Sequence, residues 1–168
     1  MLPHLDSAHN LARWLVRDPS LAEDVVQDAV LRALSYFSSF RGGDARAWLM
    51  RIVRNAAYDA LASQRQRPAT SLDDAVPSSV RGPPALSVPD PADSPEAALT
   101  RRQDLQRLER ALAALPIELR ECLVLRELEE LSYKQIAHIA GVPIGTVMSR
   151  LWRARQALVS GQAEGHET

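Results

Sequence analysis

The chain has 168 residues, 46% of them hydrophobic and 24% charged, and a formal net charge of -1 at pH 7. That composition excludes wholesale disorder and allows one domain or two small ones. With no run of roughly 20 apolar residues, no leader-like start, and one cysteine (Cys122) beside four scattered histidines (His4, His9, His138 and His166), the expectation is a cytoplasmic protein without membrane span, disulfide, metal or other cofactor.

Leu5, Ala8, Ala12 and Leu15 recur at helical spacing, and Asp18-Pro19 breaks the run because proline disfavours helix in the residue before it. Ser20 and Glu23 have capping-box spacing and open a second predicted helix, with Val26, Val30, Ala33 and Phe37 as its buried stripe. Its outer side carries Asp24, Gln27, Asp28, Leu31 and Ser35, a polar, acidic face that solvation explains unless a large basic partner docks there. Phe40-Arg41-Gly42-Gly43 reads as a loop. Asp44 is placed to cap a third helix running to about Arg65, with Leu49, Ile52, Val53, Ala56 and Ala60 as its apolar stripe. Trp48, Arg51, Arg54, Asn55, Tyr58 and Asp59 lie off that stripe. Aromatics mixed with arginine and asparagine suit unpaired bases, which stack on rings and offer hydrogen-bonding edges to an amide. The alternative is structural: Trp48 closes the small core, and Asn55 with Asp59 ties helices together.

Seven of the eleven prolines fall between residues 66 and 98, which marks a flexible linker able to separate its ends by up to roughly 100 Å. The expected organisation is an all-α protein of two small helical domains, residues 1–65 and 99–160, joined by the linker 66–98 and followed by a disordered tail, 161–168. In the second block Leu105, Leu108, Leu112 and Leu115 share a face, the pattern stops near Pro116, and it resumes through Leu119, Leu123 and Leu128. Ser132 to Gln135 forms a second capping box, followed by a short helix, Gly141, and a longer helix to about Leu158. Short helix, tight turn and longer helix make a helix-turn-helix.

In that last helix Val147, Leu151, Ala154 and Leu158 belong to the core side, whereas Met148, Ser149, Trp152, Arg153, Arg155 and Gln156 face away. Residues 141–158 hold three arginines and no acid, so a local charge of +3 persists within a nearly neutral chain. Such a helix fits the major groove, with arginine on guanine edges and serine or glutamine on phosphates or bases. Gly145 and Thr146 in the first turn bring main-chain N–H groups toward a phosphate. The plain alternative is a solvated arginine face on a bundle helix.

Together these segments resemble the extracytoplasmic-function group of bacterial sigma factors, the promoter-recognition subunits of RNA polymerase. The residues that carry the resemblance are Ala22-Glu23-Asp24-Val25-Val26-Gln27-Asp28, Phe40-Arg41-Gly42-Gly43 and Trp48-Leu49-x-x-Ile52-x-x-Asn55-x-x-x-Asp59 in the first block. In the second they are Leu115-Pro116, Leu125-Arg126-Glu127-Leu128, Leu131-Ser132-Tyr133, Ile136-Ala137 and Gly145-Thr146-Val147-x-Ser149-Arg150-Leu151-x-Arg153-Ala154-Arg155. The resemblance implies a region-two module over 1–65 and a region-four helix-turn-helix module over 99–160. Asp24, Gln27, Asp28 and Leu31 would dock on the clamp helices of the beta-prime subunit. Phe40, Arg41, Trp48, Met50, Arg51, Asn55 and Asp59 would meet the minus-ten element, with Phe40, Trp48, Met50 and Asn55 around a captured base of the melted strand. Thr146, Met148, Ser149, Trp152, Arg153 and Arg155 would meet the minus-thirty-five element, and the same module would touch the beta flap. An anti-sigma partner is implied, and Leu31, Met50 and Trp152, apolar residues on nominally exposed faces, would suit it. Met148 and Ala62 stand where relatives often carry a basic residue.

Two other readings fit parts of the sequence. A conventional operator-binding regulator would share the helix-turn-helix and bind duplex tightly without polymerase. An enzyme such as a recombinase or nuclease would need a nucleophile within an arginine cluster, or carboxylates arranged for two metals, and neither can be assembled. No catalytic activity is expected.

Overall fold

The computed structural model describes residues 2–66 and 94–164, and among them it is helical, with no strand. The prolines from Pro68 to Pro91 in the expected linker, and the end of the expected tail from residue 165, lie outside the described residues.

Helices α1 (Leu5–Val16), α2 (Pro19–Tyr36) and α3 (Ala45–Gln66) pack mutually around Leu11, Leu15, Val25, Ala29, Leu49 and Val53. The turn between α1 and α2 is made by Arg17, in the left-handed conformation at φ 62°, and by Asp18. Asp18, not Ser20, is the N-cap: its carboxylate accepts from the N–H of Ser20 at 2.9 Å and of Leu21 at 3.4 Å. The expected Ser20–Glu23 box is therefore corrected. Pro19, with fixed φ and no N–H to satisfy, suits the first helical position and moves Ser20 into the first turn. Asp18→Ala is expected to cost about 1 kcal/mol, read as a fall of a few degrees in Tm.

Phe37 is a second correction, being 58% exposed instead of on the buried stripe. The α-helix ends at Tyr36, and the tighter 3-10 turn over Phe37–Ser39 changes the angular advance per residue, so the i+4 relation to Ala33 no longer holds. Asp44 caps α3 through the N–H of Ala47 at 3.0 Å. That bond, assisted by Gln135, holds the Asp44 carboxyl below its ordinary value.

The second block is α4 (Pro95–Ala114), α5 (Ile117–Leu123), a π-helical turn (Val124–Leu128), α6 (Tyr133–Ala140) and α7 (Ile144–Glu164). α4 begins inside the expected linker because Ser94 caps it, accepting from the N–H of Ala97 at 3.2 Å, with Pro95 at the first helical position. Leu112, Leu123, Leu125, Ile136, Val147 and Leu151 are buried at its centre; each large apolar side chain removed from water contributes on the order of 1.5–3 kcal/mol. The Ser132–Gln135 capping box forms reciprocally, at 2.8 and 3.1 Å. α6 ends at Gly141, whose φ of 68° lies where a side chain strains the backbone.

The two blocks are docked along a seam where α3 meets α6 and α1 meets α5. Buried Arg120 donates to Ala113 and Leu115 carbonyls at the end of α4, and to the Leu15 carbonyl near the end of α1, at 3.2–3.3 Å. It satisfies carbonyls that two helix ends leave open, and the cation complements their dipoles. The π turn closes through a Glu129 N–H bond to the Val124 carbonyl, 3.2 Å. Glu129 itself faces the first block, accepting from Asn10 at 2.9 Å and pairing with Arg46.

Candidate nucleic-acid interface

Three surfaces gather the residues singled out in the sequence. The first lies on α2. Asp24, Gln27 and Leu31 are exposed there, and Asp28 is half-buried beside Arg32 at 2.9 Å. Leu34 and Phe37 extend the apolar part of this exposed surface beyond Leu31.

The second surface is the loop before α3 together with one face of α3. Gly42 (φ 84°) and Gly43 (φ 103°) turn the chain so that Phe40 reaches back to Trp48, ring centroids 4.9 Å apart and tilted by 41°. Both rings are half-buried; Arg41, Arg51 and Asn55 are exposed. At about 100° per residue, Trp48, Arg51 and Asn55 share one side of the helix. Met50 does not join them. It is fully buried, because it lies about 200° around α3 from Trp48, among Val53 and Ala57, and it neither lines an exposed base pocket nor offers a docking surface. Asp59 pairs with Arg32 at 2.9 Å, which joins α3 to α2 as the structural alternative anticipated for it.

Beside this face is a cluster that sequence periodicity does not show. Glu121 of α5 is fully buried, with its Oε1 2.6 Å from Arg54 Nε and its Oε2 accepting from the Tyr58 hydroxyl at 2.9 Å. The Arg54 guanidinium also stacks over the Tyr58 ring at 3.9 Å. Burial pushes the Glu121 carboxyl above its ordinary value despite Arg54. Tyr58 is raised by burial and by the neighbouring carboxylate. Burial lowers Arg54's affinity for its proton, but Glu121 outweighs it and the net shift is upward. The only sequence signal was three consecutive non-aliphatic residues, Arg120-Glu121-Cys122, inside an otherwise leucine-rich stretch. Burial pushes the Cys122 thiol up to about 11, so it behaves as a small core residue.

The third surface is α7. Val147, Leu151 and Ala154 are buried, as their spacing indicates, and Met148, Ser149, Trp152, Arg153 and Gln156 are exposed, with Thr146 half-buried in the first turn. Arg155 is exposed but bonded to Glu127 at 2.8 Å. Behind α7 an apolar cavity of about 240 Å3 is lined by Leu108, Leu112, Leu123, Val124, Leu128 and Leu158, with Glu127 and Arg155 among its walls. No helix among the described residues is long and apolar enough to cross a membrane. No group of three His, Cys, Asp or Glu is placed there to share a metal ion.

Comparison with known proteins agrees with this architecture at both ends of the chain. Residues 2–67 match Sigma-70 region 2 and residues 105–158 match Sigma-70, region 4. The ECF RNA polymerase sigma-E factor of Escherichia coli K12 is 39% identical over 137 residues, covering 80% of this chain and 70% of its own. The chain belongs to the ECF sigma factors. The RNA polymerase sigma-H factor of Pseudomonas aeruginosa is 38% identical over 147 residues, covering 85% of this chain and 74% of its own. Among solved structures, the sigma factor RpoE of Bartonella quintana, crystallised with the anti-sigma factor NepR, superimposes with a TM-score of 0.71 at 29% identity. The alignment covers 96% of this chain and 93% of that one. CnrH, solved with the cytosolic domain of CnrY, shares the fold with a TM-score of 0.66 at 23% identity, over 99% and 86% of the two chains. As an ECF sigma factor the protein is a transcription initiation factor that works with RNA polymerase at promoter DNA.

Proposed function

We propose a division of labour in which three surfaces serve three contacts of initiation, and the protein performs no bond chemistry of its own. The exposed acidic face of α2, with Asp24, Gln27, Asp28 and Leu31, docks on the beta-prime clamp helices. Phe40, Arg41, Trp48, Arg51 and Asn55 receive the minus-ten element, and a base leaving the stack finds rings to lie on and an amide edge to bond. Asp59 acts there through its tie to Arg32. Thr146, Met148, Ser149, Trp152 and Arg153 face the minus-thirty-five duplex, with Arg155 set by Glu127, while the apolar cavity behind α7 takes an apolar element of the beta flap. All of this takes place in the cytoplasm.

One observation carries the reading: a tilted ring pair on the same side of α3 as an exposed asparagine, in the same chain as a helix face that exposes Arg153 and Arg155, with no acid between residues 141 and 158. Base capture offsets an unpairing cost of a few kcal/mol, so melting needs the polymerase as well. Both structural relatives named above were solved with partner proteins, RpoE with the anti-sigma factor NepR and CnrH with the cytosolic domain of CnrY. Together with exposed Leu31, Leu34, Phe37 and Trp152, this supports control by an anti-sigma factor here; Met50, being buried, has no part in it.

Core polymerase plus this chain is expected to start RNA from members of a randomised promoter library. Confirmed core binding without any start would end the proposal. Asp24→Arg is expected to weaken core binding about tenfold, because charge reversal turns attraction into repulsion at the docking face. Equal affinity of wild type and variant, measured by titration of labelled core, would remove that docking assignment.

A further inference from the structure

On the exposed side of α7, three large apolar residues recur at i, i+4 and i+8: Ile144 is 45% exposed, Met148 53% and Trp152 64%. They form one edge of the face that also presents Ser149 and Arg153. Helix rise places Ile144 and Trp152 about 12 Å apart, a distance that spans three to four stacked base pairs. None of the described residues covers them, although the opposite side of the same helix is packed to completion by Val147, Leu151 and Ala154.

We infer that this stripe reads thymine 5-methyl groups in the upstream promoter element, so that Met148 and Trp152 set sequence preference while Ser149 and Arg153 hold the neighbouring phosphates or purine edges. The inference rests on the assignment of α7 to duplex DNA and adds what it recognises there. The 5-methyl of thymine is the apolar feature that the four bases present in the major groove. An apolar row bordered by arginine, with no acid between residues 141 and 158, complements a groove whose floor presents methyls and whose rims are phosphates. An amphipathic protein helix would fill the stripe without using that charge. Methionine's unbranched chain adjusts to a methyl's position, and the indole supplies broad apolar area.

The test uses the full chain assembled with core polymerase, and duplex promoter fragments selected from a library randomised in the upstream element. Exchanging one selected thymine for uracil deletes only the methyl. It is expected to lower complex formation about three- to fourfold per contacted base, with no change when the exchange is made outside the element. Met148→Ala and Trp152→Ala holoenzymes are expected to bind the thymine and uracil forms equally at the base each side chain touches. Both side chains are more than half exposed, so truncation leaves the block folded. A holoenzyme that depends on its upstream element yet is indifferent to uracil there overturns the inference, leaves α7 on the duplex, and assigns the stripe to a protein ligand. A selected element without thymine does the same. A holoenzyme with no upstream preference overturns both the inference and the docking of α7 on which it rests.

Discussion

Arg54→Ala is expected to destabilise the protein by about 3–5 kcal/mol near neutral pH, a large fraction of the roughly 5–15 kcal/mol that holds a domain folded. The reason is the group it abandons. Glu121 is fully buried, and its hydrogen-bonded compensation is Arg54 at 2.6 Å and the Tyr58 hydroxyl at 2.9 Å, with the Arg150 charge a smaller contribution. Without the guanidinium, the carboxylate either stays charged in a low-dielectric seam or takes up a proton. Burial already raises its pKa, and losing Arg54 raises it further. A carboxyl whose folded pKa exceeds its unfolded one contributes stability that is fully present below the unfolded value, near 4.5, and lost as pH rises through the folded value. The variant's deficit should therefore be small at pH 4.5 and large at pH 8, as read by urea denaturation. Glu121→Gln, which removes the charge and keeps the volume, should flatten that pH dependence. Because Arg54 and Glu121 belong to different blocks, X-ray scattering should also record an increase in radius of gyration for Arg54→Ala. Wild-type stability at pH 8 together with unchanged scattering would mean the pair does not form in solution.

Asn55→Ala is expected to lower promoter-dependent initiation by between roughly fivefold and a hundredfold, the effect of losing about 1–3 kcal/mol of base discrimination. Asn55 is exposed and its one recorded side-chain contact is a 3.4 Å bond from Arg54, so the stability change should stay within about 0.5 kcal/mol. Core binding should be unaffected, since the docking face is on α2. The contrast with Asp24→Arg, which loses core affinity first, separates the two surfaces. Open-complex formation followed with a fluorescent base analogue in the minus-ten element, alongside core titration, checks this. An Asn55→Ala protein that melts the promoter like wild type would return the residue to a purely structural role.

How far the sequence could be read follows from how local each feature is. The Ser132 box, the Asp44 cap, the left-handed Gly141 and the core stripe of α7 are set within a few residues, and each was legible from spacing alone. Phe37 and Met50 were misplaced because each requires knowing more than one stripe. The first depends on where an α-helix tightens, and the second on α3 being covered over a wide arc. Glu121 was out of reach altogether: its partner Arg54 lies sixty-seven positions away, and a glutamate among leucines reads the same whether it faces water or a buried arginine. The π-helical turn was equally invisible, since its effect is to aim Glu129 at Asn10 and Arg46, more than eighty residues earlier.

The hydrogen bonds and ion pairs between the blocks join Arg54 and Tyr58 with Glu121, Asn10 and Arg46 with Glu129, Arg120 with the Leu15 carbonyl, and Gln135 with Asp44, and they frame a buried apolar cluster that is continuous through both blocks. These polar links fix orientation strictly while yielding little net free energy, because every ion and dipole they confine forfeits its hydration and regains it on release. Water is therefore the competitor for each polar link. A sigma factor held closed in this way can exchange its charged stitches for water one at a time, but parting the halves fully lays bare apolar side chains that the two had shared.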